Sequence, residues 1–119
     1  MANGICIFAE NYNGKLEPAS AELVSAARLI QETTKEQISA VVVAKDCDGI
    51  IEELKNIGVE KIYAVKTDHD ILFQDDAASQ VLADMIRKID PSSVLIPATP
   101  AGRSIFSRVA MKLNCGLTA

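Results

Sequence analysis

Four short apolar runs alternate with segments of helical periodicity along this chain. The runs cover residues 5–9, 38–44, 62–65 and 94–96, and polar residues hardly interrupt them. Near-continuous apolar runs of this length are typical of strands that are covered on both faces, as in parallel sheets. Alternating strands and helices imply right-handed crossovers. The pattern therefore predicts an α/β fold with a doubly wound parallel sheet.

The intervening segments carry apolar residues at helical spacing. The predicted helix stripes are Ala19, Leu23, Ala26 and Ile30; Ile50, Leu54 and Ile57; Ala78, Val81, Leu82, Met85, Ile86 and Ile89; and Phe106, Val109, Ala110 and Leu113. Pro18 and Pro100 suit first helical positions, and Gly58 and Gly116 suit the residue just past a helix end.

Size and composition predict one globular domain. The chain has 119 residues, of which 49% are hydrophobic, and a formal charge of -4 from scattered acids. No basic face could follow a phosphate backbone, so nucleic acid is not an expected partner. No apolar run approaches the ~20 residues that span a bilayer, and the first residues lack the features of a signal peptide. We therefore expect no membrane insertion and a cytoplasmic or organelle-internal location.

The cysteines do not form a recognisable framework. Cys6, Cys47 and Cys115 are widely spaced, and His69 is the one histidine that could complement them. This pattern predicts neither disulfides nor a zinc site. Cys6 is expected to be a buried structural thiol, and His69 a solvated loop residue.

The most distinctive segment follows the fourth apolar run. Thr99 is a plausible helix cap, Pro100 the first helical residue, and Gly102 a position for close backbone approach. Arg103 lies in the first helical turn, where a cation is disfavoured, so it requires an anion or a partner carboxylate. Thr99, Gly102, Arg103 and Ser104 are therefore a candidate anion-binding or interface site.

The first apolar run ends at Glu10. If its strand lies between the second and fourth strands, the loops of residues 10–16 and 97–104 bound the crevice where ligands of doubly wound sheets bind. Glu10 would then make a polar contact in that crevice, or it would be a solvated strand end. In the same loop, Asn13 and Gly14 predict a tight hairpin tip.

Sequence motifs argue against catalysis. The chain lacks a Gly-x-Gly-x-x-Gly series, a phosphate loop and a Gly-x-Ser-x-Gly elbow. A phosphoacceptor receiver domain is disfavoured because Glu10 is not paired with a second acid, and because Asp68 and Asp70 fall beyond the expected end of the third strand. Asp75 and Asp76 are expected simply to open a helix.

Two long segments resemble a known family. ICIFAENYNGKLEPASAELVSAARLI and VLIPATPAGRSIFSRVAMKLNCGL, with GVEKIYAV between them, are similar to the amino-terminal domain of the electron transfer flavoprotein alpha subunit. The resemblance covers essentially all of residues 1–119. The residues that match the family pattern are Glu10, Glu22, Thr99, Gly102, Arg103 and Arg108.

The resemblance implies a Rossmann-like domain, an adenine-nucleotide-hydrolase-like three-layer sandwich. It also implies that the chain forms a heterodimer with a beta subunit. This heterodimer would carry electrons from flavoprotein dehydrogenases, such as those of fatty acid beta-oxidation, to a quinone reductase or another acceptor. The location would be the bacterial cytoplasm or the mitochondrial matrix. FAD would be held mainly by a carboxyl-terminal domain that these 119 residues lack, so we expect no FAD in the isolated domain and no catalysis of its own. The matching residues would be structural or at the subunit interface, and Arg108 equally suits a solvated helix face.

Two further possibilities follow from the sequence. The strand expected after the fourth helix is missing or barely begun, so the chain is expected to be cut from a longer polypeptide or to receive a strand from elsewhere. An unfinished sheet edge would make a homodimer credible. The alternative function is an autonomous adenine-nucleotide-binding module of the universal stress protein type, although Gly102 is followed next by Gly116, without that family's glycine series.

Overall fold

The computed structural model describes residues 3–67 and 75–113. The strands are β1 (Ile5–Phe8), β2 (Asn11–Tyr12), β3 (Lys15–Leu16), β4 (Ile38–Ala44), β5 (Lys61–Lys66) and β6 (Ser93–Leu95). The helices are α1 (Pro18–Thr34), α2 (Asp48–Asn56), α3 (Asp75–Ile89) and α4 (Pro100–Leu113). Within these ranges, none of the helices combines the length and apolarity needed to cross a bilayer.

Strand β1 lies in the interior of a parallel sheet of order β5-β4-β1-β6. Ile5 is in register with Ile38 of β4 on one side and with Ser93 of β6 on the other. The chain first winds outward from β1 through β4 to β5, then crosses back to place β6 against the free side of β1. This confirms the predicted doubly wound α/β sheet, and the four predicted strands match to within one residue at each end.

Helices cover both faces of the sheet. Ile5 and Ile7 of β1 pack in one apolar cluster with residues of α1 and α2. Cys6 and Phe8 point to the opposite face and pack with residues of α3 and α4. There the Phe8 ring lies 5.0 Å from the ring of Phe106, centroid to centroid. The result is the expected Rossmann-like three-layer sandwich, with a core on each side of the sheet.

The described residues that were predicted to mark helix ends and the hairpin turn lie where the sequence places them. Pro18 and Pro100 are the first residues of α1 and α4, and Gly58 follows α2 with a φ of +98°. Asn13 and Gly14 join β2 to β3 with φ angles of 52° and 77°, as a tight hairpin requires. Gly116 lies outside the described residues, as do Asp68, His69, Asp70 and Cys115.

The buried face of α1 differs from the predicted stripe. The structure buries Ser20, Val24 and Ala27, whereas Ala26 is exposed. Leu23 and Ile30 of the predicted stripe are partly buried and pack against the same apolar cluster, so the prediction is wrong for Ala26 and incomplete for the fully buried positions. Ser20 takes an inward position that apolar periodicity does not predict, because its hydroxyl bonds to the backbone N–H and carbonyl of Glu10 just after β1.

Candidate functional site

The strand order reverses between β1 and β6, so their carboxyl ends define the crevice of this sheet. Glu10 follows β1 closely, and Thr99 follows β6 by four residues at the start of α4. The Thr99 hydroxyl donates a hydrogen bond of 2.6 Å to Oε1 of Glu10. The two loops that the sequence places at the crevice therefore meet there through this pair.

Thr99 also caps α4, as predicted. Its Oγ1 accepts a hydrogen bond of 3.0 Å from the backbone N–H of Gly102, and its carbonyl accepts one of 2.9 Å from the N–H of Arg103. Pro100 has no N–H to offer. The Arg103 bond is the first regular bond of the helix, whereas the Gly102 N–H would be free for a ligand if the Thr99 side chain did not accept its hydrogen bond.

Glu10 is almost completely buried, with 2% of its surface exposed. Its N–H donates to the Ser20 hydroxyl at 2.8 Å, and its carbonyl accepts from the Glu17 N–H at 2.9 Å. Of the two interpretations of Glu10, the polar contact in the crevice is correct, and the solvated strand end is wrong.

Gly102 is required for close approach at this site. A Cβ at Gly102 would lie 2.7 Å from the carbonyl oxygen of Pro97 and 3.0 Å from Oγ1 of Thr99. A real Cβ does not come so close to a backbone oxygen. The glycine therefore lets the first turn of α4 pack directly on the loop that follows β6.

Arg103 and Arg108 behave differently on the exposed side of α4. Arg108 pairs with Asp76 of α3. Arg103 is exposed, and neither ion pair found within residues 3–67 and 75–113 includes it. One prediction from the sequence was that Arg103 pairs with a carboxylate of this or a partner chain. The described part of this chain does not supply that carboxylate. Glu22, another residue of the family pattern, lies exposed on α1.

The outer face of α4 is basic. Its exposed residues are Arg103, Ser104, Ser107, Arg108, Met111 and Lys112, and the helix contains no acid. Lys112 reaches Oε1 of Gln80 on α3 at 3.3 Å, so Lys112 and Arg108 both contact the neighbouring helix. Arg103, Ser107 and Met111 follow one another at intervals of four, which places them along one stripe. We call these three residues the α4 stripe; its Met111 is 81% exposed.

A separate surface cavity of about 840 Å³ lies near the carboxyl ends of β4 and β5. Its lining consists of Asn13, Gly14, Ala44, Lys45, Asp46, Asp48, Lys66 and Thr67. Two lysines and two aspartates balance in charge, so this cavity has no evident preference for anions or cations. Asn13 and Gly14 belong to the loop of residues 10–16, but neither Glu10 nor Thr99 lines the cavity.

The described residues contain no group of acids, histidines and cysteines that could hold a metal ion. Cys6 and Cys47 are free and buried. Burial raises the pKa of the Cys6 thiol to about 11, opposed by a hydrogen bond with Ser39. Burial also raises the pKa of Cys47. Both are therefore protonated at neutral pH, and Cys6 is the buried structural thiol that the sequence predicts.

Two residues that support the crevice were missed by sequence reasoning. Ser20 holds the backbone of Glu10, and Asn11 is 2% exposed with its side-chain amide donating to the carbonyls of Ala9 and Val43. Asn11 thereby links the ends of β1 and β4. Asn11 could have been found from the sequence, because it is a polar residue close after a buried strand. Ser20 could not, because a serine in the first turn of a helix does not indicate where its hydroxyl will bond.

The comparisons with known proteins agree with this architecture. A family model described as the electron transfer flavoprotein domain matches residues 5–119. The electron transfer flavoprotein subunit alpha of Megasphaera elsdenii is 33% identical over 116 residues, covering 98% of this chain and 34% of the relative. The lactate dehydrogenase (NAD(+),ferredoxin) subunit LctC of Acetobacterium woodii is 31% identical, covering 98% and 28% respectively.

A third relative, the acryloyl-CoA reductase electron transfer subunit beta of Anaerotignum propionicum, is 32% identical over 97% of this chain and 31% of its own length. The chain thus spans about a third of the length of the curated relatives it matches. The match runs along nearly the whole chain, including both loops of the crevice. This chain therefore belongs to the electron transfer flavoprotein domain family, in agreement with the resemblance to the alpha subunit.

Proposed function

We propose that this chain is the amino-terminal domain of an electron transfer flavoprotein alpha subunit and acts as a scaffold that docks the beta subunit. The heterodimer would carry electrons from flavoprotein dehydrogenases to an acceptor such as a quinone reductase. Family membership over residues 5–119 is the observation that carries this proposal. The names of the relatives, which are electron transfer and dehydrogenase subunits, support it.

We propose that FAD is bound by the complete heterodimer, mainly through a carboxyl-terminal domain outside these 119 residues. The crevice of this domain does not fit the pyrophosphate of FAD. The Gly102 N–H already bonds to the Thr99 hydroxyl, and that hydroxyl already donates to the buried Glu10 carboxylate. The candidate site at the start of α4 had two interpretations, anion binding and contact with another subunit. The geometry favours contact with another subunit.

The proposed docking surface is the α4 stripe, formed by Arg103, Ser107 and Met111. It combines an exposed guanidinium that has no ion pair within the described residues with an exposed methionine. Arginine and methionine are enriched where proteins associate, and lysine and acids are depleted there. A partner that supplies a carboxylate opposite Arg103 and an apolar pocket for Met111 would complement this stripe.

The test is the affinity of this domain for the electron transfer flavoprotein beta subunit from the same source. R103A is expected to weaken binding at least about tenfold, since a charge-assisted hydrogen bond contributes roughly 1.5–3 kcal/mol. M111S should add to that loss. K88A, which removes an exposed cation from α3, is the matched control and should bind as the unmodified domain does. Unchanged binding of R103A and M111S, with both folded, would refute docking through this stripe.

The runner-up, an autonomous nucleotide-binding module, predicts that AMP or ATP raises the melting temperature of the unmodified domain. The scaffold proposal predicts no shift with AMP, ATP or FAD. A ligand present at a hundred times its Kd stabilises the folded domain by about 2.7 kcal/mol. Binding at such a site would therefore raise the melting temperature measurably.

A further inference from the structure

We infer that the side chain of Glu10 occupies the place in this sheet where doubly wound sheets bind ligands. Its carboxylate takes the place of the phosphate that the crevice would otherwise bind. This goes beyond the proposed scaffold role, since it predicts that the unmodified crevice rejects phosphate and names the substitution that would let phosphate bind. Three features of the described residues support it: the position of the carboxylate, its hydrogen bond and its burial.

The position is the one where doubly wound sheets bind ligands. Glu10 comes two residues after β1, and Thr99 comes four residues after β6, on either side of the reversal in strand order. Phosphate groups at such crevices lie at the start of the following helix, where backbone amides and hydroxyls donate to them. The Glu10 carboxylate reaches the corresponding hydroxyl here, that of Thr99, at 2.6 Å.

The hydrogen bonds connect the carboxylate to the positive end of α4. The Gly102 N–H donates to the Thr99 hydroxyl oxygen at 3.0 Å, and the same hydroxyl donates to Glu10. The positive amino end of a helix favours an anion nearby. An internal carboxylate therefore receives the stabilisation that a bound phosphate would receive, and its negative charge repels a second anion.

Burial shows that the carboxylate is part of the packed structure and not a mobile surface group. Glu10 is 2% exposed. Its backbone is held from the α1 side, with its N–H bonded to Ser20 and its carbonyl bonded to Glu17. Ser20 itself is fully buried. The backbone bonds from α1, the hydrogen bond to Thr99 and the burial of the side chain together hold Glu10 in the crevice.

Removal of the carboxylate should therefore expose a vacant anion position. In E10A the Thr99 hydroxyl loses its acceptor, a negative charge disappears, and a space about the size of the lost carboxyethyl group opens beside the start of α4. In E10Q the charge disappears as well, but the side chain keeps nearly the same volume. Comparison of the two variants separates occupation of the space from removal of charge.

The experiment is a titration of the unmodified domain, E10A, E10S and E10Q with inorganic phosphate and with AMP, followed by amide chemical shifts. The expected result is that E10A and E10S bind at least about tenfold more tightly than the unmodified domain. The shifts should centre on Thr99 and Gly102. E10Q should show a smaller gain, because it removes the repulsion by the charge but leaves the space filled. E10S covers the case in which E10A does not fold, and circular dichroism establishes which variants are folded.

Two outcomes would overturn the inference. One is binding of phosphate or AMP to the unmodified domain with shifts at Thr99 and Gly102, which would mean that Glu10 does not occupy the position. The other is a folded E10A or E10S variant that binds neither ligand. Neither result depends on association with a beta subunit, so failure here is distinguishable from failure of the docking proposal.

Discussion

The guanidinium of Arg28 occupies the space that a side chain at position 58 would need. An ideal Cβ on Gly58 would overlap with Nη2 of Arg28. The same Nη2 donates a hydrogen bond of 2.5 Å to the carbonyl of Ile57 at the end of α2. Arg28 therefore joins α1 to the end of α2, and it can do so because residue 58 has no side chain.

G58A is expected to destabilise the domain by about 1–3 kcal/mol. The backbone at Gly58 has a φ of +98°, a conformation that is costly for a residue with a Cβ, and the methyl group would also displace Arg28 from Ile57. Urea unfolding measures the change. G14A is the control, because Gly14 has a φ of +77° but no atom within 4 Å of the position that its methyl group would take. Equal losses for both variants would show that displacement of Arg28 costs nothing.

A second prediction concerns Gly102 in the first turn of α4. Alanine has the higher helix propensity, by about 1 kcal/mol in a helix interior. G102A should nevertheless destabilise the domain, because the new methyl group would lie 2.7 Å from the backbone oxygen of Pro97, which cannot rotate away as a side chain can. G49A is the matched control in α2, where the closest contact is a milder 3.3 Å to the Gly14 carbonyl.

Thermal unfolding of the two alanine variants tests this prediction. G102A should melt below the unmodified domain and below G49A. A G102A variant that melts at or above the temperature of the unmodified domain would show that α4 moves without cost, and that its close approach to the loop after β6 is not required.

The positions of the strands were predictable because each strand is a short, near-continuous apolar run in the sequence. A run such as residues 38–44 is buried at every position in the structure, and such a run has few alternatives in an α/β chain. Helix ends were predictable because Pro18 suits a first helical position and Gly58 tolerates the positive φ that often follows a helix. These features depend on neighbours in sequence and need no knowledge of distant contacts.

The crevice was less predictable because its contacts are distant in sequence. Glu10 and Thr99 are 89 residues apart, and their hydrogen bond exists because β6 returns to the side of β1. The sequence suggested the cap at Thr99 but left two interpretations of Glu10 open. The inward position of Ser20 was also invisible, because a serine in an apolar helix stripe has no local sign that its hydroxyl will meet the end of a strand.

The thiols provide a third prediction. Cys6 is fully buried and its pKa is raised to about 11, so at pH 8 it should react with Ellman's reagent only after global unfolding. Cys47 is 7% exposed, and burial raises its pKa as well, with Asp46 and Asp48 adding to the effect. Cys47 should react slowly, but faster than Cys6.

Mass mapping of the modified peptides in a C115S background measures both rates. The substitution removes the cysteine that lies outside the described residues. Denaturation in urea should make the two rates similar. Rapid modification of Cys6 in the folded domain, at a rate near that in urea, would show that its side of the sheet opens readily.

The fourth prediction concerns Glu36, which joins the amino ends of three parallel strands. Glu36 precedes β4, and its Oε2 accepts hydrogen bonds from the Ser92 hydroxyl at 2.6 Å and from the Gly4 N–H at 2.7 Å. Ser92 and Gly4 directly precede β6 and β1. The bond from Ser92, and then that from Gly4, lowers the pKa of this carboxyl below its ordinary value.

A lowered pKa means that the folded state binds the proton of Glu36 less readily than the unfolded state does. The stabilisation from Glu36 is thus complete above the ordinary pKa of about 4.3, and it is lost as the pH falls through the lower value of the folded state. E36Q should be less stable than the unmodified domain at pH 7, and the difference should shrink between about pH 4.5 and pH 3. Urea midpoints at pH 7, 5, 4 and 3 measure it. E32Q, an exposed glutamate of α1, is the control and should show no such narrowing. A stability difference for E36Q that stays constant down to pH 3 would contradict this role, because it would then arise from packing and not from the charge of the carboxylate.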